Sequence, residues 1–310
     1  MSGDVRELLS SAFRGLPFGP TTIRAVTTPQ GECLVLESFV PLPFQPPGEE
    51  ESRARLLSAL GLVHGIGPFR EMLLRKRGYS TLLDLAVHPR FGREAAFWSE
   101  VINRKELFTL YQGLCRWYSP SHPLVLALVG LAFPDHLVFI DLESLGLSTL
   151  PIFLIAVGKA EGTAGVIRIR QFLARNLAEE AVILAEALEE IPGDPVVASY
   201  NGKAHDWRQW RARLAYYELP DLPQAAHLDF LFFARRLWRA AVGDCSLTKV
   251  ERAILGRVRP LDIPSEEVPL YYHAFLKSGN PQFLWPILAH NREDVVSLVA
   301  LLGKLLDSHA

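Results

Sequence analysis

The chain has 310 residues, 49% of them hydrophobic and 21% charged, which excludes a disordered segment, a collagen-like repeat and a disulfide-stapled miniprotein. It is long enough for two domains with their own cores. With 32 Lys and Arg against 34 Asp and Glu, it is no uniformly basic nucleic-acid binder, so a polyanionic partner has to be held by placed residues.

Cys33, Cys115 and Cys245 are an odd set with no Cys-x-x-Cys pair, which suits half-buried thiols in a reducing compartment rather than disulfides or a zinc site. The first thirty residues hold Asp4, Arg6 and Glu7 and then Pro17, Pro20 and Pro29, without an apolar stretch long enough for export. The apolar run at 124–133 is about half a membrane span and reads as a core helix. A cytoplasmic protein with no membrane partner is expected.

Residues 1–50 read as a hairpin followed by a Pro-rich linker with Pro41, Pro43, Pro46 and Pro47. Residues 51–134 form a helical domain, with Leu56, Leu60 and Val63 on one face, then Phe69, Met72 and Leu73, then Phe97, Val101 and Ile102. Residues 135–310 form the third domain. It opens on the buried strand Leu137-Val-Phe-Ile-Asp-Leu142, followed by an apolar strand at 151–157 and the alternating Val166-Ile-Arg-Ile-Arg170. A capping box, Asn176 with Glu179, opens a helix through about Glu190, and a short buried strand lies at 195–199. Helices are expected at about 206–217, 229–241, 246–255 and 284–306, with a short apolar piece at 226–229. Three antiparallel strands, a crossover helix, a parallel fourth strand and then a fifth resemble a ribonuclease-H-like mixed α/β sheet with flanking helices, preceded by a mostly helical N-terminal domain.

Asp141 and Glu143 stand two apart on one strand, so both side chains leave the same face. Carboxylates gathered in an apolar fold raise one another's pKa unless a cation neutralises them, and an oxygen-rich, sulfur-free set favours magnesium or manganese. The plain alternative is a strand that ends in solvent. Ser199-Tyr-Asn-Gly-Lys-Ala-His-Asp206 is a turn that brings Asp206 to the sheet's carboxyl edge, where ligands gather. Ordinary turn chemistry for Asn201 and Gly202 and an N-cap role for Asp206 are the alternatives. In the last helix His290 and Asp294 share a face at i, i+4.

Together, Phe139-Ile-Asp-Leu-Glu143, Tyr200-Asn-Gly-Lys-Ala-His-Asp206 and His290-Asn-Arg-Glu-Asp294 resemble the three exonuclease motifs of the DEDD superfamily. The middle one is similar to that of family-B DNA polymerase proofreading domains. Leu228-Asp-Phe-Leu-Phe-Phe-Ala-Arg-Arg-Leu-Trp238, with Gln171-Phe-Leu and Glu179-Glu180 before it, resembles the YprB ribonuclease-H-like domain family. The resemblance implies a metal-dependent 3′-to-5′ exonuclease in which Asp141, Glu143, Asp206 and Asp294 bind two Mg2+ or Mn2+ ions about 3.5 to 4 Å apart. His290 would orient or deprotonate the attacking water. Two departures stand out: Ser144 replaces the Thr common after the motif Glu, where contact with the terminal nucleotide is expected, and His290 stands four residues before Asp294 where the His branch uses five. Asp229 reads as a helix N-cap rather than a fifth ligand.

Leu60-Gly-Leu-Val-His-Gly-Ile-Gly-Pro-Phe-Arg70 resembles a helix-hairpin-helix: Gly65 and Gly67 allow close backbone approach to a phosphate, and Arg70 adds counter-charge. A second basic stripe, Arg208, Arg211, Arg213, Arg235, Arg236 and Arg239 with Trp207, Trp210 and Trp238 interleaved, suits a single strand held by phosphates and stacked bases, to which Asn201 and Lys203 add contacts. The alternative is solvated helix faces with the Trp residues in the core. The expected activity is trimming of single-stranded 3′ ends, of DNA more than RNA, in repair or genome maintenance, with a helicase as a conjectured partner. A non-catalytic nucleic-acid-binding module and an exoribonuclease are the competing readings.

Overall fold

The computed structural model describes residues 7, 9, 21–146, 149–162, 165–259 and 263–308. Asp4, Arg6, Pro17 and Pro20, on which the reading of the N-terminus partly rested, lie outside them. Its frame is a sheet of β1 (Thr21–Thr28), β2 (Gly31–Pro41), β3 (Leu137–Ser144), β4 (Ile152–Ala160), β5 (Val166–Leu173), β6 (Val196–Ser199) and β7 (Ala226–Asp229), in the spatial order β1-β2-β5-β4-β3-β6-β7. The first five in that order pair antiparallel, and β3, β6 and β7 run parallel. This is the mixed sheet with flanking helices that the strand order suggested.

Central β4 is almost wholly apolar because both of its faces are covered. The hairpin expected within residues 1–50 is not a unit apart: β2 pairs with β5 along Leu34–Pro41 and extends the sheet to seven strands. Its buried Cys33–Leu36 stretch adds apolar surface to the core, Glu37 accepts from Arg170 across the ladder at 2.7 Å, and the otherwise open edge of β5 is closed.

The sheet divides two cores. Leu137, Phe139, Ala198 and Leu228 share one with Leu56, Leu60, Leu110, Leu114 and Leu128 of the N-terminal helical region, so that region packs directly on the sheet. Val138, Ile140, Ile155 and Val197 share the other with Ile183, Trp210 and Tyr272. The long helix Leu284–Asp307 gives Leu284, Ile287 and Leu288 to the second core and Val295, Leu298 and Leu302 to the first. Residues 290–294 fall between the two sets.

Several local expectations change. The face formed by Phe69, Met72 and Leu73 on the helix Pro68–Lys76 points outward, Phe69 being 72% exposed, and Leu74 alone of that helix is buried. Periodicity finds an apolar face but not the direction in which it points. Residues 124–133 form two short buried helices, Pro123–Leu126 and Leu128–Ala132, rather than one. The expected helix at 229–241 is split into Phe230–Leu237 and Arg239–Val242. The helix Val268–Ser278, absent from the sequence reading, buries Tyr272, whose hydroxyl donates to the Ala174 carbonyl at 2.8 Å. Trp207 and Trp210 are core residues, which removes them from any stacking platform, and Arg213 is buried against Glu180 rather than lying on a basic stripe. No helix among the described residues is long and apolar enough to cross a membrane.

Candidate metal centre

Parallel pairing of β3 with β6 over Leu137–Phe139 sets the carboxyl ends of the two strands side by side. Asp141 and Glu143 leave β3 at that edge, and a register shift between Glu143 and Ser144 ends the regular ladder there. After β6 the chain turns through Asn201, held at φ 61°, a left-handed conformation that asparagine tolerates better than most residues. Gly202 follows because a Cβ at that position would lie 2.5 Å from Ser199 Oγ and 2.8 Å from Asp206 Oδ2. The close turn puts Asp206 at the first position of the helix Asp206–Tyr216, one residue past its N-cap His205. Asp229 ends β7, caps the next helix by accepting from the Leu231 amide at 3.1 Å, and steadies the turn by accepting from the Asn201 amide at 2.8 Å.

The long helix supplies the third side. His290 Nε2 lies 3.6 Å from Asp294 Oδ2 and 3.9 Å from Glu143 Oε1, and these three side chains each offer a ligand atom within 4.8 Å of the others. The Ser265 hydroxyl stands 3.4 Å from the same imidazole nitrogen. Asn291 donates to Asp141 Oδ2 at 2.7 Å, and its own carbonyl oxygen accepts from Gln171, which also donates to the Leu288 carbonyl. Burial, then the charges of Asp294, Glu143 and Asp206, push the Asp141 carboxyl well above the usual range, with His290 acting in the opposite direction. Burial, then Asp229 and Asp294, push Asp206 up to about 7. The geometry brings Glu143, His290 and Asp294 together, and the charges of these acids reach Asp141 and Asp206 and raise both carboxyls. Oxygen donors with one imidazole and an excess of negative charge at half-buried to buried positions fit a hard divalent cation.

The residues expected to touch nucleic acid are more scattered. The Ser144 hydroxyl donates to the Gly146 carbonyl at 2.6 Å and stands 3.4 Å from Gln209, so it secures a loop. The Lys203 ammonium donates to the Tyr111 hydroxyl at 2.9 Å, linking the middle motif to the N-terminal helices. Asn201 and Arg235 line one cavity of about 550 Å3 with Tyr200, Arg239 and Ser246. Exposed Arg236 donates to Ser119 at 3.1 Å. Far along the chain, Gly65 adopts φ 80°, Gly67 caps the helix Pro68–Lys76, and Arg70 folds back to donate to the Gly65 carbonyl.

Sequence reasoning missed Asn291 as a residue that orients Asp141, although it stands inside the quoted third motif, and it gave Gln171 no role. It also missed Arg259, which donates to Asp294 Oδ1 at 2.5 Å. No local pattern marks that residue, because its partner is 35 positions away.

A family model described as RNase_H superfamily matches residues 138–306. The chain is also similar to a protein of Bacillus subtilis (strain 168) named uncharacterized protein YprB, with 36% identity over 186 residues. The matched stretch is 57% of this chain and 44% of that relative, so the chain covers less than half of the relative's length.

Proposed function

The chain belongs to the RNase_H superfamily, and on that premise we propose that it is a metal-dependent exonuclease that removes nucleotides from the 3′ ends of single-stranded DNA. The observation that carries this reading is the meeting of Glu143, His290 and Asp294 within 4.8 Å of one another, with Asp141 and Asp206 near enough for the acids' charges to raise their pKa. Asp141, Glu143, Asp206 and Asp294 would hold two magnesium or manganese ions. Bound there, such ions supply Lewis acidity toward water and the phosphoryl oxygens.

The protein's own groups do the rest. His290 Nε2 accepts the proton of the attacking water, with Asp294 and Glu143 beside it to steady the imidazolium. Asn291 fixes the rotamer of Asp141. The glycine turn at 202 lets the second motif approach without a side chain in the way. Asn201, Arg235 and Arg236 guide the strand, and the Gly65–Gly67 turn with Arg70 meets a more distant phosphate, which is the ground for preferring DNA.

Matched DNA and RNA oligonucleotides, labelled at either end and incubated with magnesium or manganese, test the proposal. A 3′ label should be released at once as mononucleotide, and a 5′ label should yield a descending ladder. A ladder from the 3′-labelled strand, or no product with either ion, refutes it. A preference for RNA reassigns the substrate and keeps the chemistry.

A further inference from the structure

We infer that Arg259 is a positioning residue that acts through Asp294 and confines it to offering a single carboxylate oxygen to a cation; the inference rests on the metal reading above. The Arg259 side chain is 7% exposed and is held from two sides. Its Nη2 donates to Asp294 Oδ1 at 2.5 Å and also to Glu251 Oε1, and its Nε donates to the same Glu251 oxygen at 3.1 Å. The other oxygen of Asp294, Oδ2, is the one beside His290. The guanidinium therefore divides the carboxylate, with one oxygen committed to the protein and one left facing the site.

Arg259 is not a surface cation that happens to lean on an acid. Glu251 is buried and also accepts from the Ser297 hydroxyl, three residues beyond Asp294 on the long helix. Ser297 accepts from Arg257 at 2.9 Å, and Arg257 pairs with Glu293. Glu293 pairs in turn with Arg292, whose Nε donates to Ser38 in β2 at 3.1 Å. A run of polar contacts thus extends from the N-terminal hairpin to the acidic edge and ends on Arg259. Gly256, at φ 64°, turns the chain so that Arg257 and Arg259 both reach the long helix.

Two consequences follow for a cation. The fixed positive charge lowers its affinity, and the occupied Oδ1 prevents Asp294 from binding with both oxygens. Removing Arg259 relieves both restraints, so binding tightens while the productive arrangement of ligands is lost.

The test is calorimetric titration of the full chain with Mn2+ alone, supported by the electron paramagnetic resonance spectrum of the bound ion. Arg259→Met is expected to bind Mn2+ about tenfold more tightly than wild type and to show an altered spectrum, with turnover of single-stranded DNA reduced about 100-fold. Arg259→Lys, which keeps a charge but not the two-armed reach, should tighten binding by about threefold and carries the test should Arg259→Met fail to fold. A lowered melting temperature with unchanged or weaker Mn2+ affinity in these variants marks a merely structural residue and overturns the inference. Binding by neither wild type nor variants overturns the metal reading, and this inference with it; wild-type binding that no variant alters overturns this inference alone.

Discussion

Glu180 and Asp141 are both carboxylates held against the same sheet, Glu180 fully buried and Asp141 half-buried, and they differ most in how they are paired. Glu180 accepts from the Ile152 amide at 2.8 Å, from Arg213 through two nitrogens at 2.7 and 2.6 Å, and from the Tyr217 hydroxyl at 3.0 Å. Asp141 has the Asn291 amide at 2.7 Å and faces the charges of Asp294, Glu143 and Asp206. The first charge is answered from within the chain and ties β4 to two helices. The second cluster carries more negative charge than its neighbours offset, an unfavourable arrangement unless a cation arrives from outside. The more deeply buried carboxylate is the one fully answered, and completeness of pairing separates scaffold from site.

The largest effect should come from the under-paired side. Asp206→Asn and Asp141→Asn are each expected to lower cleavage of single-stranded DNA by about four orders of magnitude, roughly 5 kcal/mol of transition-state stabilisation. Both should also raise the melting temperature of the ion-free protein, since each removes a repelled charge. Turnover within tenfold of wild type would erase the distinction drawn between the two carboxylate settings.

Arg213→Met attacks the other side. It strands Glu180, which is fully buried, and should destabilise the protein by about 3–5 kcal/mol in urea unfolding, with magnesium giving no relief. A loss below about 1 kcal/mol would show that Glu180 finds water or another donor, and the scaffold reading of that pair would fall.

Dependence on pH gives a smaller and subtler contrast. Asp206 is pushed up to about 7 in the fold, against 3.8 for an ordinary Asp. Between these values the folded state keeps a proton that the unfolded chain has lost, so this contribution to stability is full below about pH 4 and declines as pH rises to 7, by up to about 1.4 kcal/mol per unit. His227 acts in the opposite sense. Burial, then Lys203, pull its imidazole down to about 3 from 6.5, so its contribution is full above 6.5 and is lost as pH falls. Melting curves from pH 4 to 8 for wild type and Asp206→Asn separate the two, because His227 is common to both. Wild type should lose stability relative to the variant as pH rises, and magnesium should flatten the difference. Parallel curves without ion would contradict the raised carboxyl.

Much of the sheet was legible in the sequence. β3 to β6 stand where apolar runs and alternation put them, because a strand writes its burial into successive residues. The hairpin could be read as a hairpin but not as part of this sheet, since nothing local to Glu37 announces Arg170. Phe69, Met72 and Leu73 obeyed helical spacing and still faced outward. Trp207 and Trp210 could be read as stacking on bases or, more readily, as core, and the second core around Trp210 and Tyr272 decides for the latter.

That Asp141 and Glu143 share one face, and His290 and Asp294 another, was legible from spacing, since two positions along a strand and four along a helix are short-range geometry, whereas joining them with Asp206 as one set came from the resemblance to the DEDD motifs. Which charges are answered was decided only by the tertiary structure. Arg213 meets Glu180 from 33 residues away, Arg259 meets Asp294 from 35, and Asn291 meets Asp141 from 150. The energy of a buried charge depends on the few groups within several ångströms of it, and folding brings those groups from distant parts of the chain.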